Sequence, residues 1–551
     1  MLRALPESRL RLGDDDDEDE VIVAQRDLLP VPSDARTWNT LHLGGKFLAL
    51  LEKRLRVSWT VLTRLLDCGG FCQYQVASTA VAAGLAPGPA IAAVFLGHFL
   101  VSLACAMTGF VGAKHGINFP VMARMSFGTI GTLVAVVSRA AAAIVWFGTQ
   151  TFQGGQCVQV MLGAIFPSFK KFPNRLPASA HVTSSQLLSF FIFYLVQLPF
   201  LWIPISKLRH LFMLKVVIMP IFGFTLFGWA VGRAHGFGPI FSQPSRVPAG
   251  TPIAVVFFSA MSSAIAPKAT LALNICDFTR FAKSPKAVVW TNIVSLSIPI
   301  TLCAVLGVVV TSATEVIYGV STWNPLEVCE LWNNRAAAFF AAFCWALCVL
   351  ATNISANSTA VGNDLTIIFP RFVNIRRGQY ICAVLGLATC PVVDHPKQRQ
   401  VFHVSGCLLF HLPKRNIFAF RSFLGGYSIF LGPIAGIILS DFYIYRRRKV
   451  DILSLYRRQS SLYWYTHGVN LRAVAAYLLG LVPNLPGFAA KVNTHVRLPI
   501  GFAYVFSLVW PVGLVVGGSC YLLFTALWPP AVRRAHSETS SLTTSHEHLP
   551  K

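Results

Sequence analysis

The stretch "SAIAPKATLALN", Ser263 to Asn274, lies inside an apolar run over residues 252–276. A run of that length crosses the roughly 30 Å hydrocarbon core of a bilayer as one helix. Yet Pro267 and Lys268 stand near its middle. Proline removes a backbone donor and clashes with the preceding turn. A lysine at membrane depth is costly unless it faces protein or water. The segment therefore reads as a helix broken inside the membrane, with its freed backbone groups lining a cavity. The first apolar run carries a counterpart, "DCGGFCQYQVAST" (Asp67 to Thr79), where Gly69 and Gly70 precede two glutamines. Either segment alone reads equally well as an ordinary kinked helix. The two together favour a binding site built on interrupted helices.

Apolar runs occur at 57–85, 89–113, 129–163, 185–205, 210–232, 252–276, 286–313, 336–364, 378–394, 416–445, 470–490 and 501–527. The expected fold is an all-α polytopic membrane protein with twelve transmembrane helices. The two interrupted runs are five apart, which is the spacing of two inverted five-helix repeats, at about 57–232 and 252–445. Helices 11 and 12, at 470–527, are an addition, and the whole transmembrane unit covers 57–528. Tails at 1–56 and 529–551 are polar, and the first contains the acidic run Asp14 to Glu20.

Of the 551 residues 54% are hydrophobic and 12% charged, half the charge of an ordinary soluble chain. The net charge of +24 does not mark a nucleic-acid binder, because Lys and Arg sit in short loops rather than on one basic face. Connections placed inside carry 21 Lys and Arg against 12 outside when the N-terminus is cytosolic. That bias puts both termini in the cytosol. The 13 Cys are scattered through apolar runs, without the paired spacing of a zinc or redox site. No metal site, cofactor or catalytic constellation is expected, so the chain is not read as an enzyme.

Another polar intrusion, "TNISANSTAVGND" (Thr352 to Asp364), lies in the eighth run. At about 100° per residue from Thr352, Asn353, Asn357 and Asp364 cluster between about 100° and 140°, and Ile354, Val361 and Leu365 lie opposite Thr352, near 200°. Thr352, Thr359 and Asn363 form a second polar direction. Packing by small residues accounts for the Ala and Ser but not for two amides four residues apart. In the third run, Trp146 and Gln150 are also i and i+4, with Arg139 one heptad earlier. Alone, Trp146 reads as packing. Paired with Gln150 it offers a π face beside a donor and an acceptor, which suits a flat, hydrogen-bonding heterocycle.

These residues resemble the nucleobase–cation symporter-1 family, and most closely its fungal uracil, allantoin, uric acid and thiamine permease branch. The resemblance rests on "RDLLPVP" with "RTWN" (Arg26 to Asn39), "HGINFPVMARMSFGTIG" (His115 to Gly131), "VWFGTQTFQGGQCV" (Val145 to Val158), "APKATLALNICDFTRFAK" (Ala266 to Lys283), "TNISANS", "FPRFVNIRRGQYICAVLGLA" (Phe369 to Ala388) and "FLGGYSIFLGPIAGIILSDF" (Phe423 to Phe442). It implies a LeuT-like 5+5 inverted-repeat core. It also implies a plasma-membrane importer of a nucleobase-like heterocycle coupled to a cation, with a small substrate, the coupling ion and the bilayer as partners. By the same resemblance, Trp146 stacks on the substrate and Gln150, Asn357 and Asn353 hydrogen-bond it. Lys268 and Gln75 join them, and Phe423 gates access. Asp277, Lys268 and Thr352 are the coupling candidates, with structural pairing to Arg280 the equal alternative for Asp277.

Two departures from the family matter. Sodium-coupled relatives carry adjacent Ser and Thr where Ala351 and Thr352 stand. The lost hydroxyl weakens an oxygen site for a hard cation and favours proton over sodium coupling. Between Pro391 and Phe423 the chain carries an atypical insertion, centred on 395–415, that fits neither a helix pattern nor the branch. It reads as a retained intron or a gene-model error, with a genuine extracellular insertion as the alternative. Competing functional readings are transport of thiamine, a nucleoside or nicotinamide riboside, and a non-transporting product disabled by the insertion.

Overall fold

A computed structural model describes residues 29–32, 36, 71–177, 182–203, 205–247, 249–388, 426–456, 462–492 and 495–530. Gly69, Gly70, Phe423 and the 395–415 insertion lie outside the described residues. The described chain is predominantly helical, with an isolated antiparallel bridge between Thr466 and Val469. In order the helices are α1 (Phe71–Ala82), α2 (Pro87–His115), α3 (Phe119–Phe127), α4 (Thr132–Ile165), α5 (Ser184–Trp202) and α6 (Ile205–Ala234). A second group comprises α7 (Ile253–Ala269), α8 (Leu271–Asn274), α9 (Cys276–Thr279), α10 (Pro285–Tyr318), α11 (Pro325–Glu330), α12 (Arg335–Thr352), α13 (Thr359–Ile368) and α14 (Ile375–Ala388). The last are α15 (Ser428–Leu439), α16 (Leu471–Leu481), α17 (Leu485–Val492), α18 (Ile500–Ser507) and α19 (Val509–Leu527).

Among the described residues nine helices are long and apolar enough to cross a membrane, or ten when the bent pair α7 with α8–α9 counts as one span. The expected count of twelve is not reached. The described parts of the first and ninth runs, 12 residues in α1 and 14 in α14, fall short of the roughly 20 residues a span needs.

The sixth run is broken where its sequence says it should be. The axis bends by 43° between α7 and α8–α9, just after Pro267. Neighbouring side chains satisfy the carbonyls around the break. Thr108 on α2 donates to Ala272 O at 2.7 Å, and the Tyr427 hydroxyl donates to Ala266 O. In the other direction Phe119 N, at the start of α3, donates to Asp277 Oδ1 at 2.8 Å. Irregular backbone persists at membrane depth when surrounding protein supplies partners of this kind.

The eighth run departs from the regular helix assumed for it. Residues Asn353–Ser358 form a π-helical turn between α12 and α13, and Thr359 N–H donates to Ile354 O five residues back. Angles reckoned at 100° per residue therefore drift beyond Asn353. Such turns concentrate at functional sites because they re-aim side chains within an otherwise continuous helix.

Apolar side chains form two large clusters. One gathers α2, α3, α7–α9, α15 and α16, and the other gathers α4, α5, α6, α10, α12 and α14. Trp146 belongs to the first and its neighbour Phe147 to the second, so this point of α4 lies on the seam. Close helix approach relies on small residues. A Cβ added at Gly436 on α15 would sit 1.9 Å from Leu514 O on α19. Gly436→Ala should therefore lower the melting temperature in detergent by several degrees, corresponding to about 1–3 kcal/mol of overpacking. Gly228→Ala on α6 adds a Cβ with nothing within 4 Å and should leave melting unchanged. Equal melting of the two variants would refute this account of the α15–α19 contact.

Candidate functional site

At the seam a cavity of about 30 Å³ is lined by Trp146, Gln150, Pro267, Lys268, Thr270, Leu271, Asn274, Thr352, Ala356 and Asn357. Three elements meet there: the middle of α4, the break between α7 and α8, and the π turn. Two of the segments singled out for interrupted or polar character, 263–274 and 352–364, thus line one cavity together with Trp146 and Gln150. The volume admits water but no heterocyclic ring, so a substrate must displace the lining side chains apart.

The amides form a directional chain. Asn357 Nδ2 donates to Gln150 Oε1 at 3.2 Å and to Asn353 Oδ1 at 2.9 Å. Asn353 Nδ2 donates to Phe147 O at 3.2 Å, Thr151 Oγ1 at 3.1 Å and Gln197 Oε1 at 3.1 Å. Gln197 on α5 returns a bond to Thr151 at 2.9 Å. Asn353 is fully buried and is not a lining residue, contrary to its expected place among the substrate contacts. It stands behind Asn357 and fixes that side chain's orientation. Gln150 Nε2 and Asn357 Oδ1 keep their hydrogen-bonding capacity for the cavity, since neither has a partner among the described residues.

Other polar atoms at the cavity are unpaired. Trp146 Nε1, Asn274 Oδ1 and Asn274 Nδ2 are buried without a partner among the described residues. Trp146 is also held edge-on by Tyr427, with ring centroids 6.2 Å apart and planes at 74°. Lys268 is buried at the same break. Gln75 is half-buried on α1, which packs against α10, α2 and α7, and it is not a lining residue.

Two turns along α4 from Trp146 lies an ionic triad. Arg139 Nε donates to Asp364 Oδ2 at 2.9 Å, and a second guanidinium nitrogen bonds Asp364 Oδ1, making the pair bidentate. Arg139 also reaches Asp277 Oδ2 at 3.4 Å and Ala360 O at 3.2 Å. Its guanidinium carbon lies 4.1 Å from the centroid of the Phe119 ring. All three charged residues are at most 2% exposed. Asp277, for which Arg280 was the alternative partner, bonds Arg139 and Phe119 N. The bend between α7 and α9 turns Asp277 toward α4 instead, where Arg139 and the start of α3 meet it.

Thr352 has a partner that sequence reasoning missed. Lys215 on α6, fully buried, donates from Nζ to Thr352 Oγ1 at 2.6 Å. Thr352 in turn donates to Cys348 O at 2.9 Å. No carboxylate lies within 4 Å of Lys215 Nζ among the described residues. A signal was available, since an ionisable residue inside an apolar run is a functional candidate by default. Asn274 carried a weaker one, as an amide seven residues beyond the proline. No group of His, Cys, Asp and Glu able to hold a metal occurs among the described residues.

Membrane-length helices closing around a small polar cavity at a helix break form the arrangement expected of a secondary transporter. Residues 65–513 match the family described as permease for cytosine/purines, uracil, thiamine, allantoin. The chain is 31% identical to the allantoin permease of Saccharomyces cerevisiae over 93% of its own length and 76% of the relative's. It is 31% identical to that organism's uracil permease over 92% and 76%, and 33% identical to its uridine permease over 83% and 70%. Its fold is shared with a solved structure of Mhp1, a nucleobase-cation-symport-1 family transporter in a closed conformation with bromovinylhydantoin bound. The TM-score is 0.66 at 20% identity, covering 92% of this chain and 96% of that one. The chain belongs to the nucleobase–cation symporter-1 family of multi-pass membrane permeases.

Proposed function

We propose that the protein is a plasma-membrane importer of a nucleobase-like heterocycle such as uracil, allantoin or uric acid. Coupling is to protons, and both termini are cytosolic. No covalent reaction is involved: two inverted repeats, at about 57–232 and 252–445, alternate access around the cavity at the helix break. The observation that carries this reading is the cavity itself. It combines an indole face with unpaired donors at Trp146 and Gln150 and an unpaired acceptor at Asn357. Curated relatives named for allantoin, uracil and uridine support the same substrate class.

Two features support proton rather than sodium coupling. Ala351 offers no hydroxyl, and the Thr352 hydroxyl already accepts from Lys215, so little oxygen ligation remains for a hard cation. Nearby, two carboxylates share one guanidinium, and a site with more carboxylates than cations is suited to taking up a proton.

The reading is tested with Gln150→Ala and Asn357→Ala in a transporter-null host. Uptake of radiolabelled uracil and allantoin should fall at least tenfold, the scale of losing buried polar contacts to a substrate, while surface expression stays intact. Unchanged uptake kinetics in both variants would sink the assignment of the cavity.

A further inference from the structure

Asn274 closes the four-residue helix α8, immediately past the 43° bend. It is 1% exposed, lines the cavity, and leaves both Nδ2 and Oδ1 without a partner among the described residues. A buried amide with neither group paired is destabilising, since each lost its hydrogen bonds to water on folding. Asn292 on α10 pairs one of its two groups, Nδ2 donating to Val288 O at 2.6 Å while Oδ1 has no partner among the described residues. Asn363 also buries an unpaired amide, but it is not a lining residue. Asn274 differs in combining burial, lack of a partner and a place on the cavity wall.

A primary amide presents one donor and one acceptor side by side. The complementary ligand edge is a ring N–H adjacent to a C=O, as in a lactam or cyclic ureide. We infer that Asn274 reads this edge of the substrate, setting a preference for heterocycles whose ring N–H next to a carbonyl is unsubstituted. Trp146 and Asn357 lie on other elements lining the same cavity, so the ring is held flat while Asn274 pairs with its edge. The inference rests on the cavity being the substrate site and adds which chemical edge selects the ligand. Methylation of the paired nitrogen removes its donor and places a methyl group against the amide. Both effects oppose binding when the site's own polar groups are left unpaired.

The test uses purified full-length protein and radiolabelled uracil, competed by unlabelled uracil, 1-methyluracil and 3-methyluracil, for wild type, Asn274→Leu and Asn274→Ser. Wild type should discriminate against one of the two methylated compounds by at least about tenfold, the scale of one neutral hydrogen bond. In both variants uracil should bind about tenfold or more weakly, and the discrimination should shrink to within about threefold. Unliganded Asn274→Leu should melt no lower than wild type, because the substitution removes two unpaired polar groups. Discrimination that persists in a folded variant overturns the inference, as does a wild type that binds all three compounds equally. Gln150→Ala, run in parallel, separates the two levels. If it leaves uracil binding intact, the cavity assignment fails. If it abolishes binding while Asn274→Leu keeps full discrimination, only the role of Asn274 fails. Should Asn274→Leu not fold, Asn274→Ser provides the same comparison.

Discussion

Arg139→Met should all but eliminate folded transporter. The guanidinium holds Asp364 through two bonds and reaches Asp277 at 3.4 Å, in a site where none of the three is more than 2% exposed. Methionine fills much of the same volume but leaves two buried carboxylates facing each other. Removing one partner of a buried pair costs about 3–5 kcal/mol, a large share of the roughly 5–15 kcal/mol that keeps a native chain folded. The measurement is melting in detergent together with the monodisperse fraction of a fluorescent fusion, and both should collapse. Asp364→Asn should not have this effect, because Arg139 and Asp277 then balance. It should instead fold and lose the dependence of uptake on external pH, since one of the two carboxylates sharing the guanidinium can no longer take a proton. The triple variant Arg139→Met, Asp277→Asn, Asp364→Asn should recover folding without recovering concentrative uptake. A stable Arg139→Met protein would overturn the structural half of this account. An Asp364→Asn protein with normal pH dependence would overturn the coupling half.

Lys215→Met should act in the opposite direction on stability and just as strongly on transport. Lys215 is also fully buried, but Nζ meets only the Thr352 hydroxyl at 2.6 Å and no carboxylate within 4 Å among the described residues. Burying a polar terminus with one neutral partner is costly, so methionine at this position should leave melting unchanged or raised. Uptake of labelled uracil or allantoin should nevertheless fall at least tenfold, because an ionisable group kept at such cost inside a membrane helix serves function. Wild-type uptake should be unaffected when sodium is replaced by an organic cation. A Lys215→Met variant that melts lower and transports normally would make Lys215 a packing residue. Sodium-dependent uptake by wild type would remove the coupling argument built on Thr352.

The two cations differ in how readable they were. Arg139 was visible because it lies on the stripe of Trp146 and Gln150, and its i, i+7 spacing is a property of one helix. Lys215 sits alone in an apolar run, and nothing local points to Thr352, 137 positions away. Asp277 shows the same limit. Arg280, three residues along, was a plausible local partner, yet Arg139, 138 positions away, holds the carboxylate. The eighth run shows a subtler one. Asn353 and Asn357 were expected on one side and do bond each other. But the π turn removes the strict 100° step, so the division between Asn357 at the cavity and Asn353 behind it did not follow from angle alone.

Composition, run length and the position of prolines and polar residues were enough to establish a polytopic helical membrane protein, the break after Pro267, and the pairs Trp146 with Gln150 and Asn353 with Asn357. These features are local: bilayer thickness sets helix length, and a missing N–H or a mid-span amide announces itself within a turn or two. Only the tertiary structure decided which polar groups meet. Most membrane helices are apolar on nearly every face, so periodicity carries little information about which face packs where. The pairing of Arg139 with Asp364 and Asp277, the contact of Lys215 with Thr352, and the unpaired amide of Asn274 on the cavity wall all arise from helix packing.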